Sequence, residues 1–357
     1  MELNPVTQSM DGDEKAATLD RGFYQQLQNA QLAPLWESLK GLVPSEPKPK
    51  AIPWKWDFSE VRRYLMQAGE MITAEEAERR VLILSNPGLD GKLQTTDTIY
   101  AGIQLILPGE TAPPHRHSQS ALRFVIEGHS ATTTVNGECT QMSPGDFIIT
   151  PSMTWHEHSG GDEPVIWLDG LDVPLSSFLH TGFREESTEG LALVARPTGQ
   201  TDALYARSML PLQPIGKPLT SPIFNYPYER SREALEKLKT GPVDPWLGIA
   251  LRYVNPTNGD WAMPTIGTSL RLLPAGFISK PYRSTDGLVM SVTEGSMTLR
   301  FANTTLKANP KDVIAIPGWV DYTVEAHNDT VVFAFSDRPV HEKLGLWRER
   351  RSTATLK

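Results

Sequence analysis

The side chains that could do chemistry in this chain stand in two short runs. His115 and His117 flank Arg116 directly behind Pro113 and Pro114, and His156 and His158 sit in TWHEHSG, residues 154–160. The chain holds 8 histidines in all, so half of them fall in two His-x-His pairs. Side chains alternate along a strand, so the members of each pair point the same way. Two imidazoles from one strand and a third from a later strand can converge on one ion inside a barrel. Imidazole suits iron, copper, nickel, zinc and manganese, and three neutral ligands leave positions open for other molecules. A bare His-x-His is more often a surface or packing pair. Here the stiff prolines before it, Pro151 upstream of the third histidine, and its loss in an internal repeat (below) favour a metal. Arg123 lies in the otherwise apolar stretch ALRFVIEG, where a forked cation suits a carboxylate better than solvent.

Those residues need strands, and the composition permits them. With 357 residues, 39% of them hydrophobic and 21% charged, the chain reads as an ordinary globular protein of two domains. No run reaches the ~18 apolar residues of a membrane span, and MELNPVTQSMDGDEKAATLD has neither the basic start nor the apolar core of a secretory signal. The expectation is a cytosolic protein that spans no membrane. A lone cysteine, Cys139, excludes an internal disulfide and a cysteine-based metal cluster. A net charge of −8 without a basic block argues against a nucleic-acid partner. It leaves room for a small anionic ligand held by one or two buried arginines.

Residues 1–92 read as a helical arm. Phe23, Leu27, Leu35, Trp36 and Leu39 are helix-spaced with a break at Pro34, and a proline-rich connector, VPSEPKPKAIP, follows. Asp57 or Ser59 can cap the next helix, and Thr73 with Glu76 forms a capping box. Short β-rich runs then fill 93–180, and 181–260 is a linker whose helix at SREALEKLKTGP is stopped by Gly241 and Pro242. The β texture returns over 261–340, ahead of a tail at 341–357. The two β regions are copies of one unit: GETAPPHRHSQSALRFVIEG (109–128) lies over GFISKPYRSTDGLVMSVTEG (276–295), and SPGDFIITP over NPKDVIAIP. In the second copy His115, His117 and His156 become Tyr282, Ser284 and Tyr322. The histidines therefore serve chemistry and not the fold.

Gly109, His115, His117 and Gly128, then Gly145, Pro151 and His156, are spaced like the two motifs of the cupin superfamily. Two departures stand out: Ala121 and Leu122 occupy the place of the usual glutamate ligand, and Met153 stands where a glycine is usual. The longer stretches ERRVLILSNPGL, TIYAGIQLILPGE, GDFIITPSMTWHEH, WLDGLDVP, SPIFNYPYERSREAL and SDRPVHEKLGLWRERR resemble the gentisate 1,2-dioxygenase family. These are bicupin ring-cleaving dioxygenases that include salicylate and 1-hydroxy-2-naphthoate dioxygenases. The resemblance implies a mainly β bicupin, two jelly-roll barrels behind a helical arm, assembled as a homotetramer. It implies one Fe(II) per chain, held by His115, His117 and His156 in the first barrel, with the second barrel vacant. A small aromatic acid would chelate the iron through carboxylate and ortho hydroxyl, O2 would bind beside it, and the ring would open between the carbons bearing those groups. Both oxygen atoms enter the product, so no nicotinamide or flavin is needed.

Around that centre, Arg123 would take the substrate carboxylate, and His158 would hydrogen-bond the substrate and move protons. Tyr100, Gly102 and Gln104 would form a same-face row of pocket residues beside Ala121. Arg79, beside Arg80, would reach in from outside the barrel. Asp169 would orient a neighbouring group unless it is a turn aspartate. Gentisate is the leading substrate, because broad-substrate relatives tend to carry tryptophan at the position of Tyr100; a substituted salicylate is the rival. A non-catalytic bicupin, or a manganese or zinc decarboxylase or isomerase, are the readings from other classes.

Overall fold

The computed structural model describes residues 21–187, 194–213 and 215–352. The described residues up to 48 and those from 49 onward form separate compact units. In the first, residues 21–29 are helical and a second helix, Leu35–Leu42, follows Pro34, with its apolar side chains exposed.

The second unit holds two barrels of the same topology. In one, a six-stranded sheet runs in the order 225–226, 147–150, 121–127, 165–171, 100–106, 81–83, and faces a five-stranded sheet ordered 184–186, 111–117, 156–159, 132–135, 138–141. In the other, the six-stranded order is 54–56, 313–316, 288–294, 330–336, 267–273, 249–252. The duplicated strands thus occupy the same four inner places in both sheets. Each outer place is filled from elsewhere in the chain. Trp54–Trp56 pairs with 313–315 of the second barrel and Val81–Ile83 with 102–104 of the first, so the stretch read from sequence as a helical arm supplies edge strands to both. Likewise Asn225–Tyr226 and Ile249–Arg252 come from the linker, and Glu349–Arg351 of the tail pairs with Tyr282–Ser284. Covering a sheet edge in this way removes a row of unpaired backbone groups.

The inner strands are buried on both faces, which explains why ALRFVIE shows no polar alternation. Outward-facing residues of the two six-stranded sheets form one shared core. Phe124 stacks on Phe333 with ring centroids 4.1 Å apart and planes 7° from parallel, and Phe147 packs beside them. Gly170 is required there, since a Cβ would stand 2.6 Å from the Phe335 ring. Burying each such phenylalanine contributes about 2–3 kcal/mol. Arg123, one residue before Phe124, therefore faces the opposite way, into the first barrel.

Thr73 and Glu76 form the expected capping box. At the helix Phe58–Met71 the cap differs: Asp57 is the N-cap residue but makes no side-chain cap bond, and Asp312 of the second barrel accepts from the Phe58 N–H at 2.9 Å. A carboxylate distant in sequence does the work that local spacing assigned to Asp57 or Ser59.

Met153 adopts a left-handed conformation, φ +56°, at the place where glycine is usual. Its N–H donates to the His117 carbonyl at 2.7 Å, tying the turn before His156 to the strand of His117. Trp319 repeats this in the second barrel, with φ +61° and an N–H bond to Ser284 O. Met153→Gly is expected to leave the fold intact and raise stability by up to about 1 kcal/mol, because it relieves a left-handed side chain. Denaturant midpoints would check this, and a clear loss of stability would contradict it.

Candidate metal centre and aromatic-acid pocket

Pro113 and Pro114 break the ladder between Thr111–His117 and His156–Ser159: pairing runs through Ala112, shifts, and resumes at His115 opposite His156. That bulge sets two histidines side by side. The potential ligand atoms of His115, His117 and His156 lie within 4.8 Å of one another. Ring centroids are 4.2 Å apart for His115 and His156, 5.0 Å for His117 and His156, and 5.4 Å for His115 and His117. The equivalent strands of the second barrel meet at Tyr282 opposite Tyr322, so the repeat is in register.

Hydrogen bonds orient these rings. His117 Nδ1 donates to Gln119 O at 2.8 Å and His156 Nδ1 to Thr154 O at 2.9 Å, each of which leaves the Nε2 lone pair free. His156 Nε2 is buried and has no hydrogen-bond partner. His115 Nδ1 lies 3.2 Å from Pro113 O and 2.6 Å from Arg79 Nη2. Burial, reinforced by the Arg79 charge, pushes the His115 ring down to about 3. Burial likewise pushes His117 down to about 4 and holds His156 and His158 well below the usual imidazole range. The rings are thus neutral near pH 7, as metal ligands must be. A divalent cation fits this donor set: enclosed nitrogen lone pairs, no carboxylate, and a buried orphan atom aimed at the common point.

Acid should therefore loosen the metal-free protein. Unfolding frees these rings to take up protons below their ordinary value of ~6.5, while the folded state keeps them neutral down to about 3 for His115 and about 4 for His117. Stability is present above that window and lost as pH falls through it. Asp169, pushed up to about 6 by burial, acts in the opposite sense, one group against four. The Tm of chelator-treated protein is expected to fall steadily from pH 6.5 toward 4; a flat profile would show that the rings are not held neutral.

The other expected residues surround this centre. Arg123 is 4% exposed; its Nη1 donates to Thr150 Oγ1, and its Nε lies 3.7 Å from Asp169 Oδ1. Asp169 sits in the middle of the strand Val165–Leu171, directly across from Arg123, and also accepts from Trp167 Nε1 at 2.9 Å. The turn-aspartate alternative is thereby removed. Arg79 is the inward arginine: its Nη2 donates to Pro113 O at 3.0 Å beside His115. Arg80 instead forms a two-pronged pair with Glu110, both contacts at 2.8 Å. Burial and the neighbouring Arg123 charge bring Arg79 down to about 10, so both arginines remain cationic against the single carboxylate of Asp169. The cavity is net positive before any metal is counted.

His158 Nδ1 lies 2.9 Å from Thr133 Oγ1, whose hydroxyl also reaches Met142 Sδ at 3.2 Å. With that hydroxyl donated to sulfur, Thr133 accepts from Nδ1–H, and His158 Nε2 is left buried without a partner. Gln104 is buried across from Trp167, and its amide finds no protein partner among the described residues. At Gly102 a Cβ would stand 2.6 Å from Val81 and 3.1 Å from the Tyr100 hydroxyl. Tyr100 is half-buried and Ala121 is enclosed opposite Thr150. Sequence reasoning missed Thr133, Thr150 and Trp167. Only Trp167 left a trace, two residues before Asp169 and so on its face.

Comparison with known proteins fits this geometry. Residues 102–172 match the cupin domain family. The chain is 49% identical to gentisate 1,2-dioxygenase 1 of Aquipseudomonas alcaligenes, over 95% of this chain and 99% of that protein. It is 32% identical to 5-aminosalicylate 1,2-dioxygenase of a Comamonas species, over 93% and 90%. The crystal structure of salicylate 1,2-dioxygenase from Pseudoaminobacter salicylatoxidans with gentisate superposes with a TM-score of 0.89 at 34% identity, covering 99% of this chain and 98% of that one. Two barrels in register, a three-histidine cluster in only one of them, and likeness along nearly the whole length leave one conclusion: the chain belongs to the gentisate 1,2-dioxygenase family of bicupin ring-cleaving dioxygenases.

Proposed function

We propose that this protein is an Fe(II)-dependent dioxygenase that opens gentisate with O2 to maleylpyruvate, cleaving between the carboxyl-bearing and hydroxyl-bearing carbons. The observation that carries this reading is the cluster of His115, His117 and His156, with the lone pairs of His117 and His156 freed by backbone carbonyls. His115, His117 and His156 would hold the ion. Ferrous iron supplies the route by which a singlet aromatic ring and triplet O2 can react.

The chain's own residues bind and orient the substrate. Arg123 and Arg79 offer forked donors to its carboxylate in a net-positive cavity. His158 Nε2, set as an acceptor by Thr133, receives the proton of the ortho hydroxyl. Gln104 presents an unsatisfied amide to the same space, and the bare Gly102 lets Val81 and the Tyr100 hydroxyl close up against its strand. Asp169 acts through Arg123, fixing its orientation and balancing its charge. The reading extends to a cytoplasmic homotetramer, for which the exposed Leu35, Trp36, Leu39 and Leu42 of the first unit offer apolar surface to cover.

The test is oxygen uptake by iron-loaded protein against gentisate and 5-substituted salicylates, with metal analysis alongside. Stoichiometric O2 consumption fastest with gentisate is expected. No uptake with any hydroxybenzoate would sink the reading, and preference for a salicylate would move it to the rival substrate.

A further inference from the structure

The two barrels share a register, so their interiors can be compared place by place. Gln104, opposite Trp167, corresponds to Arg271, opposite Val332. Arg123, opposite Asp169, corresponds to Met290, opposite Ala334. His156 corresponds to Tyr322, and His158 to Val324. Each barrel thus carries an arginine among these matched positions. In the first, Asp169 balances it. In the second, the place of that aspartate is an alanine, and Arg271 has no carboxylate within 4.0 Å among the described residues.

Around Arg271 lies an enclosed cavity lined by Met290, Tyr322, Val324, Val332 and Leu273. Its free space is small, room for about one water-sized species. Tyr322 is 4% exposed and its hydroxyl lies against the Arg271 guanidinium, while Arg271 Nε has no hydrogen-bond partner. The nearby acids are engaged: Glu349 accepts from Tyr282 at 2.9 Å, and Asp286 accepts from Trp347 at 3.3 Å.

We propose that the second barrel encloses a site for one small monovalent anion of the halide kind, held by Arg271 and Tyr322. The duplicate has exchanged lone pairs for N–H and O–H donors, so the charge it accepts is reversed. Arg271 is half-buried with its Nε sealed off and no counter-ion beside it, and an anion would offset the cost of that donor. Apolar walls favour a weakly hydrated ion, and the cavity is far too small for an aromatic acid. The site is therefore not a second active site, and substrate does not compete for it.

The test uses bromide as the probe on iron-loaded protein. Crystals soaked in bromide should show an anomalous peak between Arg271 and Tyr322. Thermal unfolding titrated with bromide, against gluconate at equal ionic strength, should show a saturable rise in Tm. That rise should vanish in Arg271→Gln, which installs the first barrel's residue, while gentisate oxidation stays unchanged. Tyr322→Phe, which keeps the packing, should move the titration midpoint to at least about tenfold higher bromide for the loss of one hydrogen bond to a charged partner. A water without anomalous signal, an equal bromide response in the wild type and Arg271→Gln, or an unmoved midpoint in Tyr322→Phe would each overturn the proposal.

Discussion

Replacing His115 by alanine is expected to lower iron affinity at least about a hundredfold and to abolish ring cleavage, since disturbing even the partners of metal ligands costs 10–100-fold. The protein should nevertheless fold. His115 lies beside a bulge, it is a neutral ring, and the second barrel carries a different residue at the same place without losing its strand pairing. Tyr282→Ala, the matching change in the second barrel, should leave iron content unaltered. Metal analysis and oxygen uptake on both variants decide the assignment. Loss of iron from Tyr282→Ala, or full iron in His115→Ala, would place the centre elsewhere.

Arg123→Met carries the second large effect, and it acts on two quantities at once. Substrate affinity should drop because the forked donor is gone, giving a rise in KM of about 10- to 100-fold, the loss of one charge-assisted hydrogen bond or a pair of them. Stability should also fall, by about 3–5 kcal/mol, because Asp169 is left buried without its cation. Burial already pushes that carboxyl up to about 6, so the variant should be less destabilised at low pH, where Asp169 is protonated. Pairing it with Asp169→Leu should restore much of the stability and none of the affinity. Urea unfolding and steady-state kinetics separate the two outcomes. An unaltered KM in Arg123→Met would remove this arginine from the substrate site.

How much of this could be read from residues alone depends on the kind of signal. The duplication was visible because strands and turns repeat at fixed spacing, and the second copy showed which histidines the fold does not need. Arg123 was visible as a charge inside an apolar strand, whereas Asp169 in WLDGLD read equally well as a turn aspartate, and their mutual pairing required the register. Arg79 could not be told from Arg80, because the backbone turns at Glu78, with φ +49°, just before them, and neither strand nor helix periodicity extends across. Thr133 and Thr150 were hidden in ordinary β-branched runs, where a hydroxyl on a strand signals nothing until its partner is known. The strands at 54–56, 225–226 and 249–252 are too short to show alternation, and what makes them strands is a sheet edge formed by other parts of the chain.

That last feature bears on how the molecule is made. Trp56 pairs with Val313, 257 residues later, and the helix beginning at Phe58 is capped by Asp312. At ~5–20 residues per second, a ribosome needs tens of seconds to deliver the partners of that early segment. Throughout that interval Trp54 and Trp56 must wait unpaired. Closure of the second sheet is consequently a late, non-local event, and chains cut short before Val313 should emerge sticky and depend on chaperones.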